Sequence, residues 1–358
     1  MTTSQLVLTR RPFGAMPDGQ PVHEYTLVNG SGLSLNVLTL GGIVSRLDLS
    51  DATGHSTNVV LGFDHLDDYL HRNPFFGVIV GRYANRIAQG RFEIDGQVHQ
   101  LACNQGANCL HGGAMGFGTR LWQAEPAVPA PDEAVALVLK RISEDGEEGF
   151  PGRLHITVRY SLGLERRWRI EYEARCDRPT VVNLTHHSYF NLAGQGSALG
   201  HELTIPAQRY TEVDATMIPL QHATVAGTPF DFRTPRVVDE RIRQAHPQLV
   251  RARGYDHNWV LDAPFDGALH WAATLRDPAS GRSLEVHSTE PAIQFYSGNS
   301  LDAGLAGTGG RVYRQGDGIC LETQHNPDSP NRPVSADWPS TVLRPGQVYR
   351  SVTEHRFN

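Results

Sequence analysis

Leu154-His155-Ile156-Thr157-Val158-Arg159-Tyr160 alternates apolar and polar residues without a break, and Trp168-Arg169-Ile170-Glu171-Tyr172-Glu173-Ala174 repeats the pattern just downstream. Successive side chains of a strand point to opposite faces, so a period of two turns one face to a core and the other toward water. Two such runs in succession are what an antiparallel sheet requires. Leu33-Ser34-Leu35-Asn36-Val37-Leu38-Thr39-Leu40 alternates in the same way, and residues 134–142 also read as a strand. Helical candidates are confined to residues 64–70 and 238–245. Neither is long enough for the crossover of a parallel βαβ unit, which argues against a doubly wound sheet. With 36 glycines and 22 prolines, the chain favours many short strands joined by turns.

Bulk properties narrow the function. A length of 358 residues would by itself suggest about two domains. Residues 125–133, the one proline-rich stretch, have alternating strands on both sides and read as a loop, so the sequence suggests one large β-sandwich. A net charge of −6 and a pI near 6.3 give no reason to expect nucleic acid or an anionic membrane as partner. No apolar run approaches membrane-spanning length, and Met1-Thr2-Thr3-Ser4-Gln5 lacks the basic and apolar regions of a secretory leader, so the cytoplasm is expected. Cys103, Cys109, Cys176 and Cys320 have no CxxC spacing and read as buried or partly buried free thiols. Lys140 is the only lysine and falls in a strand, which argues against Schiff-base chemistry.

A few residues could carry chemistry. In Cys320-Leu321-Glu322-Thr323-Gln324-His325-Asn326-Pro327-Asp328, one carboxylate closes an apolar run before a turn-rich segment. A strand end of this kind delivers Glu322 into a pocket. Asn183-Leu184-Thr185-His186-His187-Ser188-Tyr189 offers histidine partners. One glutamate and one histidine, both tunable to neutral pH, are the minimal kit for moving protons on a sugar. By alternation His187 shares a face with Thr185 and Tyr189, and His186 faces the other way with Ser188. His111 precedes Gly112-Gly113, where the backbone turns sharply and allows close approach; a loop histidine bonded to a carbonyl fits equally well. Asp256, in Tyr255-Asp256-His257-Asn258-Trp259, suits either sugar hydroxyls or an Asx-turn. Asn85-Arg86 offers planar donors, or in Arg86 a surface ion pair. There is no HExxH or zinc-spaced cluster, no GxSxG and no phosphate loop, and glycine-rich residues 304–310 follow no βα pattern.

Together, and in this order along the chain, segments 81–87, 110–113, 183–192, 255–258, 294–299 and 321–331 resemble the aldose 1-epimerase (galactose mutarotase) family. The resemblance implies an all-β fold, a β-supersandwich of large antiparallel sheets, forming one domain over residues 1–358. It implies Glu322 as catalytic base and His187 as catalytic acid, with Asn85, Arg86, His111, Asp256 and Gln294 binding substrate, and no metal or cofactor. The expected reaction interconverts α and β anomers of a small free aldose such as galactose or glucose. Ionised Glu322 would take the C1 hydroxyl proton while protonated His187, kept charged by Glu322 and Asp256, gives one to the ring oxygen. Where the family commonly has asparagine before the catalytic histidine, this chain has His186, which alternation turns away from the pocket. Three rivals remain. A hexose-6-phosphate mutarotase would need basic residues such as Arg82 or Arg91 for the phosphate. A glycosidase would pair Glu322 with Asp256, and a non-catalytic sugar-binding module would use the same amides and aromatics.

Overall fold

The computed structural model describes residues 7–358, so the reading of Met1–Gln5 lies outside the described residues. Alternation becomes sheet where expected. Leu154–Gly163 pairs antiparallel with Arg167–Cys176, and the register sets Ile156 opposite Ala174, Val158 opposite Tyr172 and Tyr160 opposite Ile170. These residues are all buried, whereas His155 is exposed and Arg159 only partly covered. Each aliphatic side chain so buried contributes about 2 kcal/mol.

The two strands belong to a nine-stranded antiparallel sheet. Its order is Gln123–Ala127, Glu133–Ser143, Leu154–Gly163, Arg167–Cys176, Tyr349–Phe357, Ser283–Ser288, His270–Arg276, Glu202–Thr204 and Arg236–Val237. The strand nearest the C-terminus, Tyr349–Phe357, therefore sits in the middle of the sheet. A five-stranded sheet runs from Val7–Ala15 through Pro21–Val28, Leu33–Leu38 and Val44–Ser50 to Ser56–Asn58. A second one has the order Pro219–Thr224, Arg209–Val213, Asp256–Val260, Ala292–Tyr296, Cys320–Gln324. One apolar cluster joins all three: Leu35 and Leu47, Leu139 and Val158, and Trp259, Phe295 and Leu321. The Tyr160 hydroxyl, buried among these groups, donates to Gly42 O at 3.0 Å and so costs no lost hydrogen bond.

The proline-rich stretch is shorter as a loop than the sequence suggests. Gln123–Ala127 already pairs with Glu133–Ser143, and Lys140 lies opposite Gln123 within that hairpin. The first helical candidate is the single helix Leu66–His71, which buries Leu66 and Tyr69 one turn apart. The second is cut short: Asp239–Ile242 ends, and Pro247 starts another helix, Pro247–Ala252, which His246 Nδ1 caps by accepting from Gln248 N–H at 3.3 Å. Among the described residues no helix is long and apolar enough to cross a membrane. Glycine-rich residues 304–310 form part of a two-stranded antiparallel ribbon, Asp302–Ala306 with Val312–Arg314.

Candidate active site

The second five-stranded sheet sorts its residues by parity. Asp256 lies opposite Tyr296, Asn258 opposite Gln294, Glu322 opposite Gln294 and Cys320 opposite Tyr296, so all six share one face. The residues between them, His257, Trp259, Ile293, Phe295 and Leu321, are buried on the other face. On the polar face opens a cavity of about 470 Å³. Its wall includes Glu322, His187, His111, Asn85, Arg86 and Asp256, six of the seven residues expected from the sequence. Gln294 is absent from the wall. It stands behind Asp256, donating Nε2–H to Oδ1 at 2.6 Å, and so reaches the cavity only through that carboxylate.

Short strand Thr185–His186 pairs with Ile79–Val80, and His187 follows with its N–H donated to Val78 O and its own carbonyl accepting from Gly77 N–H. Alternation holds here. His187 faces the cavity, while His186 packs edge-on against Trp168 with ring centres 5.0 Å apart and meets Ser188 Oγ through Nδ1. A histidine in place of asparagine therefore changes the interior rather than the pocket. Thr185 shares the parity of His187 yet stays off the wall, its hydroxyl donating to Thr323 O at 2.8 Å.

The His187 ring lies between Phe75 and Tyr189, stacked at 5.7 and 5.1 Å, with the His111 ring edge-on at 5.2 Å. Its Nε2 is 3.6 Å from Glu322 Oε1. The other oxygen of Glu322, Oε2, is buried without a hydrogen-bond partner. His111 and Asn85 fix each other: Asn85 N–H donates to His111 Nδ1 at 3.1 Å, and His111 N–H donates to Asn85 O at 3.0 Å. The two glycines after His111 do admit a close approach, but by the chain itself. A Cβ at Gly112 would lie 2.1 Å from Gly81 O. Arg86 is buried; its Nε–H donates to Gln105 Oε1 at 2.6 Å and its Nη2 lies 3.5 Å from Asp256 Oδ2. Asn85 Oδ1 accepts from Arg86 N–H at 2.9 Å, which leaves the Asn85 amide NH2 for the cavity.

The cavity wall is also where the backbone is strained. Phe75, Asn85, His111, Met217 and Arg253 all have φ between 51° and 70°, and all five line the cavity. Each left-handed non-glycine residue costs about 1 kcal/mol, and such residues gather at functional sites.

Burial governs the charges. It pushes Glu322 well above the usual carboxylate range, with the Asp256 charge adding and Arg86 opposing. It pushes His187 down to about 4, against smaller opposing contributions from its own backbone and from Asp256. Burial thus works against the charge expected on His187. Desolvation outweighs the attraction of Asp256, whose charge is engaged by Arg86 and Gln294. His111 is likewise held neutral by burial, reinforced by His187 and Arg86.

His111, His187 and Glu322 bring their donor atoms within 4.8 Å of one another, a spacing that a cation could bridge. The set does not suit one, because Asn85 N–H occupies the Nδ1 lone pair of His111. The ring proton is then on Nε2, which presents a donor rather than a ligand. Two further expectations need correction. Arg82 is not available to a phosphate: its buried guanidinium is spent on Ser143, Pro151 and Gly152. Arg91 is exposed and outside the cavity, whose additional cations are Arg251 and Arg253. Of the thiols, Cys103 is exposed rather than buried, and Cys320 touches His187. Sequence reasoning missed Phe75, Tyr296, Met217, Arg251 and Arg253 on the wall. Parity with Gln294 could have found Tyr296; Arg251 lies in the last turn of the short helix Pro247–Ala252, and Phe75, Met217 and Arg253 sit on loops that carry no periodic signal.

A β-sandwich presenting a buried carboxylate, neutral histidines and a ring of amide and guanidinium donors to an open cavity is the equipment of an acid–base enzyme for a small, hydroxyl-rich molecule. Comparison with known proteins agrees. The family model described as aldose 1-epimerase matches residues 23–356. The chain is 42% identical over 354 residues to a galactose mutarotase of Pongo abelii, covering 98% of each chain. It is 40% identical over 351 residues to an aldose 1-epimerase of Escherichia coli strain K12, covering 95% of this chain and 96% of that one. Among solved structures, the galactose 1-epimerase of Lactobacillus acidophilus superposes with a TM-score of 0.85 at 28% identity, covering 99% of both chains. The chain belongs to the aldose 1-epimerase family, a family of isomerases.

Proposed function

We propose that this protein interconverts the α and β anomers of free aldoses, galactose and glucose foremost, by acid–base ring opening and reclosure in the cavity over Glu322 and His187. The observation that carries the reading is Glu322 Oε2, a buried carboxylate oxygen with no partner, beside a histidine whose Nε2 is 3.6 Å from the other oxygen. An unsatisfied buried acceptor is costly unless a substrate group completes it, and the C1 hydroxyl of a sugar is such a group.

At working pH the pair shares one proton. Burial disfavours the charged form of each partner and so favours the proton on Glu322. In the reactive arrangement the same proton is on His187. Glu322 takes the C1 hydroxyl proton, the O–H electrons form the aldehyde, and the C1–ring-oxygen pair passes to the oxygen, which takes its proton from His187 Nε2. Rotation about C1–C2 and reversal of the two transfers gives the other anomer. Each transfer from a well-placed group contributes about 10²–10⁴-fold. Arg86, Asp256, Asn85 and neutral His111 hold the remaining hydroxyls, and Gln294 acts by orienting Asp256. That engagement of Asp256 by Arg86 and Gln294 speaks against its service as the second carboxylate of a glycosidase.

Polarimetry on freshly dissolved α-D-galactose and α-D-glucose, corrected for spontaneous mutarotation in matched buffer, tests the reading. Faster approach to an unchanged final rotation is expected. No acceleration with either sugar would overturn it. Glucose 6-phosphate belongs in the same series, since Arg251 and Arg253 on the wall would favour a sugar phosphate if free hexoses failed.

A further inference from the structure

Three segments bring polar groups to the cavity: residues 82–86 carry Asn85 and Arg86, residues 183–187 carry His187, and residues 320–328 carry Glu322. Backbone pairing joins the first two. Ile79–Val80 pairs with Thr185–His186, and Tyr83 forms a bridge with Asn183, whose N–H donates to Arg82 O at 3.1 Å and whose carbonyl accepts from Ala84 N–H at 2.7 Å. The third segment pairs elsewhere, with Ala292–Tyr296, in a ladder that ends at Gln324. Just past that end the buried side chain of Asn183 takes over. Its Oδ1 accepts from His325 N–H at 3.1 Å, and its Nδ2 donates to His325 O at 3.4 Å and to Ala84 O at 3.3 Å. A side-chain amide offers an acceptor and two N–H donors, and here all are engaged. It serves His325 as the peptide group of a neighbouring strand would, while its second N–H returns to the segment that carries Asn85.

We propose that Asn183 is a positioning residue for the reaction: its amide fixes the segment of Glu322 against those of His187 and Asn85, and so sets the two proton-transfer groups relative to each other and to the sugar. The consequence for turnover rests on the mutarotase reading above; the tie itself does not. Asn183 lies four residues before His187, and His325 three after Glu322. A displacement of about 1 Å at a reacting group can cost 10²-fold in rate, so a tie this near both has leverage on the chemistry. Other contacts join the segments only in pairs: Thr185 Oγ1–H donates to Thr323 O at 2.8 Å, and Asp328 N–H donates to Arg86 O at 2.8 Å. The Asn183 side chain, from its own segment, holds both of the others. Small replacements do not reproduce it. Aspartate keeps an acceptor for His325 N–H but sets an oxygen against two carbonyls, and alanine leaves that buried N–H without its partner.

The test uses the full-length protein. By polarimetry with α-D-galactose, kcat of Asn183→Ala should fall about 10–100-fold with KM within about threefold of wild type. Val286→Ala, a cut in the apolar core off the cavity wall, is the comparison: it should lower Tm and leave kcat within about threefold. A side chain that only stabilised the fold would behave as Val286 does. Amide hydrogen exchange followed by mass spectrometry is the second readout and needs no turnover. In Asn183→Ala, peptides covering 82–86, 183–187 and 322–326 should exchange about tenfold faster or more, with Arg167–Cys176 at its wild-type rate. An alanine variant with wild-type kcat, or exchange raised evenly along the chain, would overturn the proposal. Fast exchange at 322–326 in the wild type would do so without any variant. Should the alanine variant not fold, Asn183→Asp is read by the same two measures, and wild-type kcat there would count equally against the tie. Absence of mutarotation in every protein would count against the mutarotase reading alone, because exchange still reports the tie.

Discussion

Replacing Glu322 by glutamine should slow the enzyme and, at the same time, stabilise the fold in a pH-dependent way. Glutamine has nearly the same shape but cannot take a proton from the C1 hydroxyl, so kcat should drop by about 10²–10⁴ while KM stays within severalfold. The stability effect follows from burial. Glu322 is 2% exposed, Oε2 has no partner, and desolvation raises its pKa well above 4.5. In the unfolded chain this carboxyl ionises near 4.5, whereas the folded protein holds the proton to higher pH. Between those two points the folded state binds more protons, so wild-type stability falls as pH rises, by roughly 1 kcal/mol per unit for this group. Glutamine does not titrate. The stability difference between variant and wild type should therefore be small near pH ~4 and grow in the variant's favour as pH rises toward ~8. Urea unfolding of both proteins across that range, at constant m-value, measures it. A pH-independent difference, or a variant less stable at pH ~8, would show that the carboxylate is not held against its own hydration, and the account of how its pKa is raised would be wrong.

Other outcomes follow from the same geometry. His187→Gln should lower kcat by about 10²–10³ without displacing the sugar, which isothermal titration with galactose can check. Asp256→Asn, which removes the charge facing Arg86, should raise KM about tenfold and leave kcat within about threefold; a selective loss of kcat would make Asp256 a participant in the chemistry. His257 and His355 are pushed down to about 3 by burial, so below pH ~6.5 the unfolded chain takes up protons that the folded chain refuses. Stability should thus fall on acidification by roughly 2 kcal/mol per histidine at pH ~5. Equal unfolding midpoints at pH ~7 and pH ~5 would contradict neutral burial of these rings.

Much of the site was legible because it rests on strands. Parity alone separates His187 from His186 and places Glu322 on the face it uses. The rest depended on groups far apart in sequence. Arg82 looked as available as Arg86, yet its partners at 143–152 fold over it and bury it, while Arg86 lies against Gln105 and Asp256. Gln294 has the right parity and is still off the wall, its amide turned to Asp256 Oδ1 on the neighbouring strand. Phe75 is on the wall because its backbone is left-handed, a conformation that no apolar pattern announces. The burial that opposes a charge on His187 was hidden for a related reason: carboxylates can be counted in a sequence, but depth of burial cannot.

The central place of Tyr349–Phe357 also governs how the molecule can be made. During synthesis the ribosome releases Arg167–Cys176 and Ser283–Ser288 long before the strand that separates them. Until then the large sheet exists as two halves, each with a bare edge of unpaired N–H and C=O groups. A nascent chain in that condition has to be kept from pairing with its neighbours, and the sheet can be completed only once residues 349–357 have left the ribosome. Messages truncated shortly before the strand at 349–357 should yield aggregates rather than a slightly shortened enzyme, and the protein should depend on holding chaperones more than its modest hydropathy would suggest.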